Sequence, residues 1–227
     1  MHGNFQSERR WKPRIALAPI ALISIFGSTL TVRAATCDGQ KGKVIFEDTF
    51  DDDSGGWESD SNAKIGGGTY TAHLQPERVI FNELNGTFNA SEADYCVEVV
   101  MPPPIAPDNP VHVGIIFWAT DYGNFYLVNL RPDGRSLLYR RMDQKWTRIA
   151  DLTDPSVKPD VGSVVAIRVH AAGNLITPSI NGVDLKKIRA QMPSGTLKFG
   201  FSFETAKENP PPGIDVSWKR FIVTSGK

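Results

Sequence analysis

Glu92, Asp94, Cys96 and Glu98 recur at every second position within Ser91 to Val100. In an extended strand, residues two apart share a face, so this segment sets three carboxylates and a thiol in one row. Paired carboxylates are the acid and base of glycosidic bond cleavage, which needs them about 5–5.5 Å apart for retention or about 6.5–9.5 Å for inversion. At ~3.3 Å per residue, Glu92 and Glu98 stand ~20 Å apart and Asp94 and Glu98 ~13 Å, beyond either requirement. Glu92 and Asp94, at ~7 Å, meet the wider one. The cysteine in the same row and the proline loop that follows favour the other reading, the wet side of a half-buried strand.

Other chemistries find less support. The sequence has no G-x-S-x-G, no H-E-x-x-H and no glycine-rich phosphate loop. His2, His73, His112 and His170 are scattered singly, so no metal or cofactor site is expected from them. In "FDDDSGGW", Asp51 and Asp53 are the candidate calcium ligands. Calcium takes six to eight oxygens, usually from more than one segment, and three consecutive acids cannot all face one ion, so an Asp-rich turn is the preferred reading. No cofactor other than calcium is anticipated.

The elements that must position these residues belong to a chain of 227 residues, 41% hydrophobic, with 12 Phe, 5 Tyr, 5 Trp, 20 Gly and 16 Pro. That composition suits a turn-rich β protein with a buried core. The start reads as a secretory signal over residues 1–34: a basic "ERRWKPR", an apolar run of 18 residues, and "VRA" before Ala35. An uncleaved N-terminal anchor is the alternative, and membrane association is expected only in that case. Without this segment, 20 basic and 24 acidic residues remain. A net charge of −4 offers no basic field for nucleic acid. The expected location is extracytoplasmic, periplasmic or secreted. There, two cysteines, Cys37 and Cys96, suggest one disulfide.

Residues 35–43 form a short polar lead, and 44–227 a single domain. Runs such as "KVIFEDTF", "YCVEVVM", "VHVGIIFWAT", "NFYLVNL", "SLLYRRM", "KWTRIA", "SVVAIRVHA", "TLKFGFSFE" and "IDVSWKRFIVT" predict about a dozen strands. "DYGN", "RPDG", "AAGN" and "INGV" predict tight antiparallel connections, and five prolines in "PPPIAPDNP" predict a loop. One helical turn is anticipated around "DLKKIRAQM". The fold class is therefore all-β: a two-sheet antiparallel sandwich or a barrel.

The order of these segments, above all "GIIFWATDYGNFYL" followed much later by "GN…INGV", resembles the concanavalin A-like lectin/glucanase jelly roll. Within it the chain is most similar to laminin-G-like and 3-keto-disaccharide hydrolase domains. The resemblance implies two curved sheets, chain ends on neighbouring strands, and a concave face that holds carbohydrate in many relatives. Glucanases of this fold carry patterns like E-x-D-x-E or E-x-D-x-x-E. In "EADYCVE" the second glutamate falls one step too late for either.

Sugar sites on such sheets combine aromatic faces with Arg and Asn. Alternation along "GIIFWAT" and "NFYLVNLRP" predicts a mixed face of Trp118, Asn129, Arg131 and Arg140, with Tyr139 and Trp146 at its margin. Three functions follow. The leading one is an exported, non-catalytic module that binds an oligosaccharide or polysaccharide. The others are an extracytoplasmic glycosidase or keto-sugar lyase, and a protein-interaction scaffold.

Overall fold

Alternation of side chains governs nearly every element of the computed structural model, which describes residues 36–89 and 91–226. Fifteen strands follow in order: β1 (Val44–Asp48), β2 (Ala63–Ile65), β3 (Tyr70–Leu74), β4 (Ile80–Phe88), β5 (Glu92–Val100), β6 (Val111–Asp121), β7 (Asn124–Leu130), β8 (Ser136–Met142), β9 (Lys145–Asp151), β10 (Val164–Ala172), β11 (Leu175–Ile180), β12 (Val183–Asp184), β13 (Ile188–Arg189), β14 (Leu197–Thr205) and β15 (Ile214–Ser225). They build two antiparallel sheets that pack as a sandwich. The nine-stranded sheet runs β12-β11-β10-β5-β15-β3-β2, with β1 joined to β15 and β13 to β11. The six-stranded sheet runs β4-β14-β6-β7-β8-β9. The expected signal sequence lies outside the described residues.

In β14, Leu197, Phe199, Phe201 and Phe203 are buried between the sheets, so Lys198, Gly200, Ser202 and Glu204 must face outward. In β5, Ala93, Tyr95, Val97 and Val99 turn inward in the same way. An aromatic stack fills the centre. The Phe201 ring lies 4.7 Å from Trp57 and 4.3 Å from Trp218, both near parallel, and Phe199 stacks on Phe221 at 5.2 Å. Each such ring contributes about 2–3 kcal/mol through area removed from water.

The predicted connections form hairpins. Asn181 and Gly182 both take positive φ, 51° and 79°, as a type I′ turn between β11 and β12 requires. The anticipated helical turn at residues 184–192 does not form. This stretch instead lays β12 and β13 along β11, where Leu185 is buried and Ile188 packs on the core. A lone helical turn would fix several dihedrals for one hydrogen bond, while pairing gains ladder bonds and apolar burial together.

The lead also packs. Cys37 is bonded to Cys96, and both are buried with Ala166 and Ile222 on the outer side of the nine-stranded sheet. Arg220 holds Asp38 at 2.7 Å, and the Thr224 hydroxyl donates to the Lys41 carbonyl.

Candidate functional site

Each acid of the β5 row has a partner within the fold. Glu98 accepts the Cys37 N–H at 2.7 Å and lies 3.8 Å from Arg220. Asp94, with its side chain 7% exposed, accepts from Arg168 Nε at 3.1 Å and meets His170 Nδ1 at 3.2 Å. Glu92 stands 3.7 Å from the other nitrogen of His170. Glu92 and Asp94 therefore share one imidazole, and Asp94 already carries a guanidinium.

The outer face of the six-stranded sheet is arranged differently. Register across β4, β14, β6, β7 and β8 aligns Asn82, Ser202, Gly114, Asn129 and Leu137 in one row. The next row aligns Leu84, Gly200, Ile116, Leu127 and Tyr139. In the adjacent row on the other side of the first, Glu204 is paired with His112 in register; it accepts from Asn129 Nδ2 at 3.0 Å and lies 3.0 Å from His112 Nδ1. This trio leaves Asn129 Oδ1 and His112 Nε2 with no hydrogen-bond partner, and Asn82 Oδ1 and Ser202 Oγ join them. A buried polar atom with unused capacity costs about 1–3 kcal/mol, so its recurrence on one face calls for an explanation. Glycine at 114 lets the strands approach closely, since a Cβ there would sit 2.6 Å from a Leu127 methyl.

Aromatic and cationic side chains rise beside this floor. Trp146, 39% exposed, meets Phe125 and Tyr139 edge-on at 5.4 and 6.0 Å. The Arg141 guanidinium lies 5.8 Å from the Phe125 ring centre and 5.3 Å from that of Trp146. Burial, together with the charge of Glu204, pushes the Tyr139 hydroxyl up.

Of the six predicted site residues, Asn129, Tyr139 and Trp146 share this face. Arg131 sits at its end, paired to Asp133 at 2.8 Å. Trp118 does not belong to it: a register shift between Phe117 and Asp121 gives Trp118 a φ of 50° and sends its ring into the core, 5.5 Å from Tyr126. Ala119 takes the outward place instead. Arg140 is the register partner of Tyr126 and lies over that ring at 5.5 Å, so it points to the opposite side of the sheet from Tyr139 and Arg141. Neither residue joins the predicted face.

His112, Ser202, Glu204 and Arg141 were not anticipated. Strict alternation in "FGFSFE" and "VHVG" turns them outward, but the pairing of β14 with β6 brings together residues about 90 positions apart. Asp51 accepts the Thr49 hydroxyl at 2.7 Å and Asp52 the Ser54 amide at 2.9 Å, so these acids shape their own turn.

A third arrangement lies at the β4 edge. Glu83 is buried on the inward side of β4, accepts the Glu58 N–H at 3.1 Å, and lines a cavity of about 300 Å³ with Glu58, Asp60, Tyr70, His73 and Arg78. Burial pushes the Glu83 carboxyl up to about 7.

No family model and no curated protein matches the chain by sequence. Solved structures match it by shape. A Bacillus licheniformis β-glucanase has a TM-score of 0.59 at 11% identity, over 82% of this chain and 100% of that one. A Bacillus subtilis protein of unknown function with a galectin-like fold has 0.58 at 14% identity, over 82% and 97%. The carbohydrate binding module CBM66 from Bacillus subtilis has 0.50 at 11% identity, over 74% and 91%. The shared architecture is a two-sheet antiparallel jelly-roll sandwich.

Proposed function

We propose that this chain is an exported, non-catalytic glycan-binding module whose site is the outer face of the six-stranded sheet. One observation carries the reading: the polar His112–Asn129–Glu204 trio, whose His112 and Glu204 side chains are 15% and 24% exposed, shares a face with Tyr139 and the exposed Trp146. Sugars need both partners, since pyranose C–H faces pack on aromatic rings while hydroxyls take directed hydrogen bonds. The fold supports it as well, because its structural neighbours include a carbohydrate binding module and a β-glucanase. Export is supported by the signal-like start and by the disulfide.

Among the described residues, Asp151 on β9 is too distant to pair with Glu204 for cleavage. Asp151 is the register partner of Leu137, which puts β9 four strand spacings from Glu204 on β14, or ~19 Å, against the ~9.5 Å that an inverting pair spans. Titration calorimetry on hits from a glycan array should show Tyr139→Ala and Glu204→Gln each weakening binding about 10-fold, with the melting temperature little changed. An array with no hits, or variants that bind like wild type, overturns the reading.

The Glu83 cavity favours a second reading, glycoside hydrolysis. A carboxyl that keeps its proton near neutral pH is suited to be a general acid, and Glu58 and Asp60 line the same cavity. Release of reducing sugar from oligosaccharides, abolished by Glu83→Gln, would establish it in place of the binding module.

A further inference from the structure

Two neighbouring cavities lie where the β7–β8 pair meets the segment after β13. One, of about 440 Å³, is lined by Tyr126, Arg140, Arg141, Gln191 and Met192 among others. The second, of about 540 Å³, shares Gln191 and Met192 and adds Asn174 and Arg189. Each is large enough for a small-molecule ligand, and the shared wall makes them one elongated groove. The Tyr126 hydroxyl donates to the Gln191 carbonyl at 3.0 Å, and the Ala190 amide donates to Asn174 at 2.8 Å, so both walls are tied down.

The charge of this groove is one-sided. Three arginines line it and no Asp or Glu does, although the residues after position 34 hold 24 acids against 20 bases. Among the described residues, arginine ion pairs are made by Arg131, Arg168 and Arg220, and none by Arg140, Arg141 or Arg189. The flanking acids Asp121 and Asp143 form no ion pair with these arginines. Asp121 is held by the Gly123 amide at 2.6 Å and by the Asn124 side chain at 3.0 Å, and Asp143 lies exposed in the β8–β9 turn. The Arg140 guanidinium lies 5.5 Å from the Tyr126 ring centre and makes no ion pair among the described residues, leaving its fork of donors for a partner. Guanidinium forks match carboxylate and sulfate oxygens two at a time.

We infer that this groove takes the anionic substituents of an acidic glycan, a uronate carboxylate or a sulfate ester, through Arg140 and Arg189 with Arg141 at the boundary with the outer face. The inference rests on the glycan-binding reading and specifies its ligand class. Arg141 connects the two, since it lines the groove and also lies over Phe125 and Trp146.

The test is calorimetric titration of the full-length chain with three oligosaccharides of equal length: an oligogalacturonate, a sulfated galactan and a neutral β-glucan. Wild type is expected to bind at least one acidic ligand about 10-fold more tightly than the neutral one, with the margin shrinking in high salt. Arg140→Gln combined with Arg189→Gln should remove that margin and leave neutral binding and the melting temperature in place. Preference for the uronate or for the sulfate identifies the source of the anion, and either supports the inference. Equal affinity for acidic and neutral ligands, or a margin that survives the double substitution, overturns it while the glycan-binding reading stands. Binding of none of the three by wild type, together with an empty glycan array, overturns both.

Discussion

On the outer side of the nine-stranded sheet, Glu98 is tied to the Cys37 amide and Asp94 to Arg168 and His170, and a buried disulfide closes the row between them. On the outer side of the six-stranded sheet, Asn129, His112, Asn82 and Ser202 each keep a polar atom that no neighbour uses, beside three aromatic rings. Both faces are polar rows on alternating strands. They differ in how fully these named side chains are paired within the fold. Charge satisfied within the fold contributes to stability, whereas a buried polar atom without a partner costs it.

The sharpest way to separate the faces is to remove the covalent link from the first. Cys37 and Cys96 enclose a sequence separation of 59, so replacing both with serine should cost about 4 kcal/mol in the chain-entropy model and lower the melting temperature by about 8–16 °C. Glycan affinity at temperatures where the variant stays folded should not move. A parallel loss of affinity would mean that the two faces are not independent.

Glu83 supplies the next largest effect and a contrast to both faces, because it lies between the sheets with a single hydrogen bond from the Glu58 amide. Burial raises its carboxyl from the ordinary 4.5 to about 7. The native state therefore keeps a proton that the unfolded chain has already lost. Stability should fall as pH rises from about 4.5 to about 7 and level off above, costing on the order of 2 kcal/mol after allowance for partial screening at the cavity mouth. Glu83→Gln keeps the shape and the acceptor without the ionisation. It should melt several degrees above wild type at pH 8 and match it at pH 5, as pH-resolved thermal melts would reveal. The opposite ordering would place Glu83 among the paired acids.

Much of the architecture was legible in the sequence because strands announce themselves locally. The two-residue period of "YCVEVVM" and "TLKFGFSFE", and the Asn181–Gly182 turn, need no long-range information. The cysteine pair was equally readable once export was inferred, since only one pairing exists. Local alternation fails where a bulge interrupts it, and Trp118 sits at such a place: one extra residue in β6 relative to β14 reverses the side on which its ring emerges. Arg140 was misplaced for a different reason. It lies outside the two runs whose alternation defined the face, and the β7–β8 register, Tyr126 opposite Arg140, decides its side. The trio of Asn129, His112 and Glu204 joins three strands, two of them remote in sequence, and such convergence follows from sheet order, which no single segment encodes.

The smallest expected effect bears most directly on the acidic row. Asp94→Asn keeps an oxygen for Arg168 Nε but removes the charge, leaving a guanidinium that is 35% exposed and already half hydrated. The loss should be about 1 kcal/mol, or about 2–4 °C in melting temperature, with glycan affinity unchanged. A cavity of about 340 Å³ does open here, lined by Lys41, Glu92, Asp94, Arg168 and His170, so the substitution also tests the face as a place for chemistry. If the row is structural, Asp94→Asn and Glu92→Gln alter stability modestly and nothing else. If either variant instead eliminates binding or a turnover of oligosaccharide that wild type performs, the nine-stranded face is the functional one. The unused atoms of the other sheet would then need a different explanation, because a site whose acids already hold Arg168 and His170 could work only by exchanging those partners for substrate.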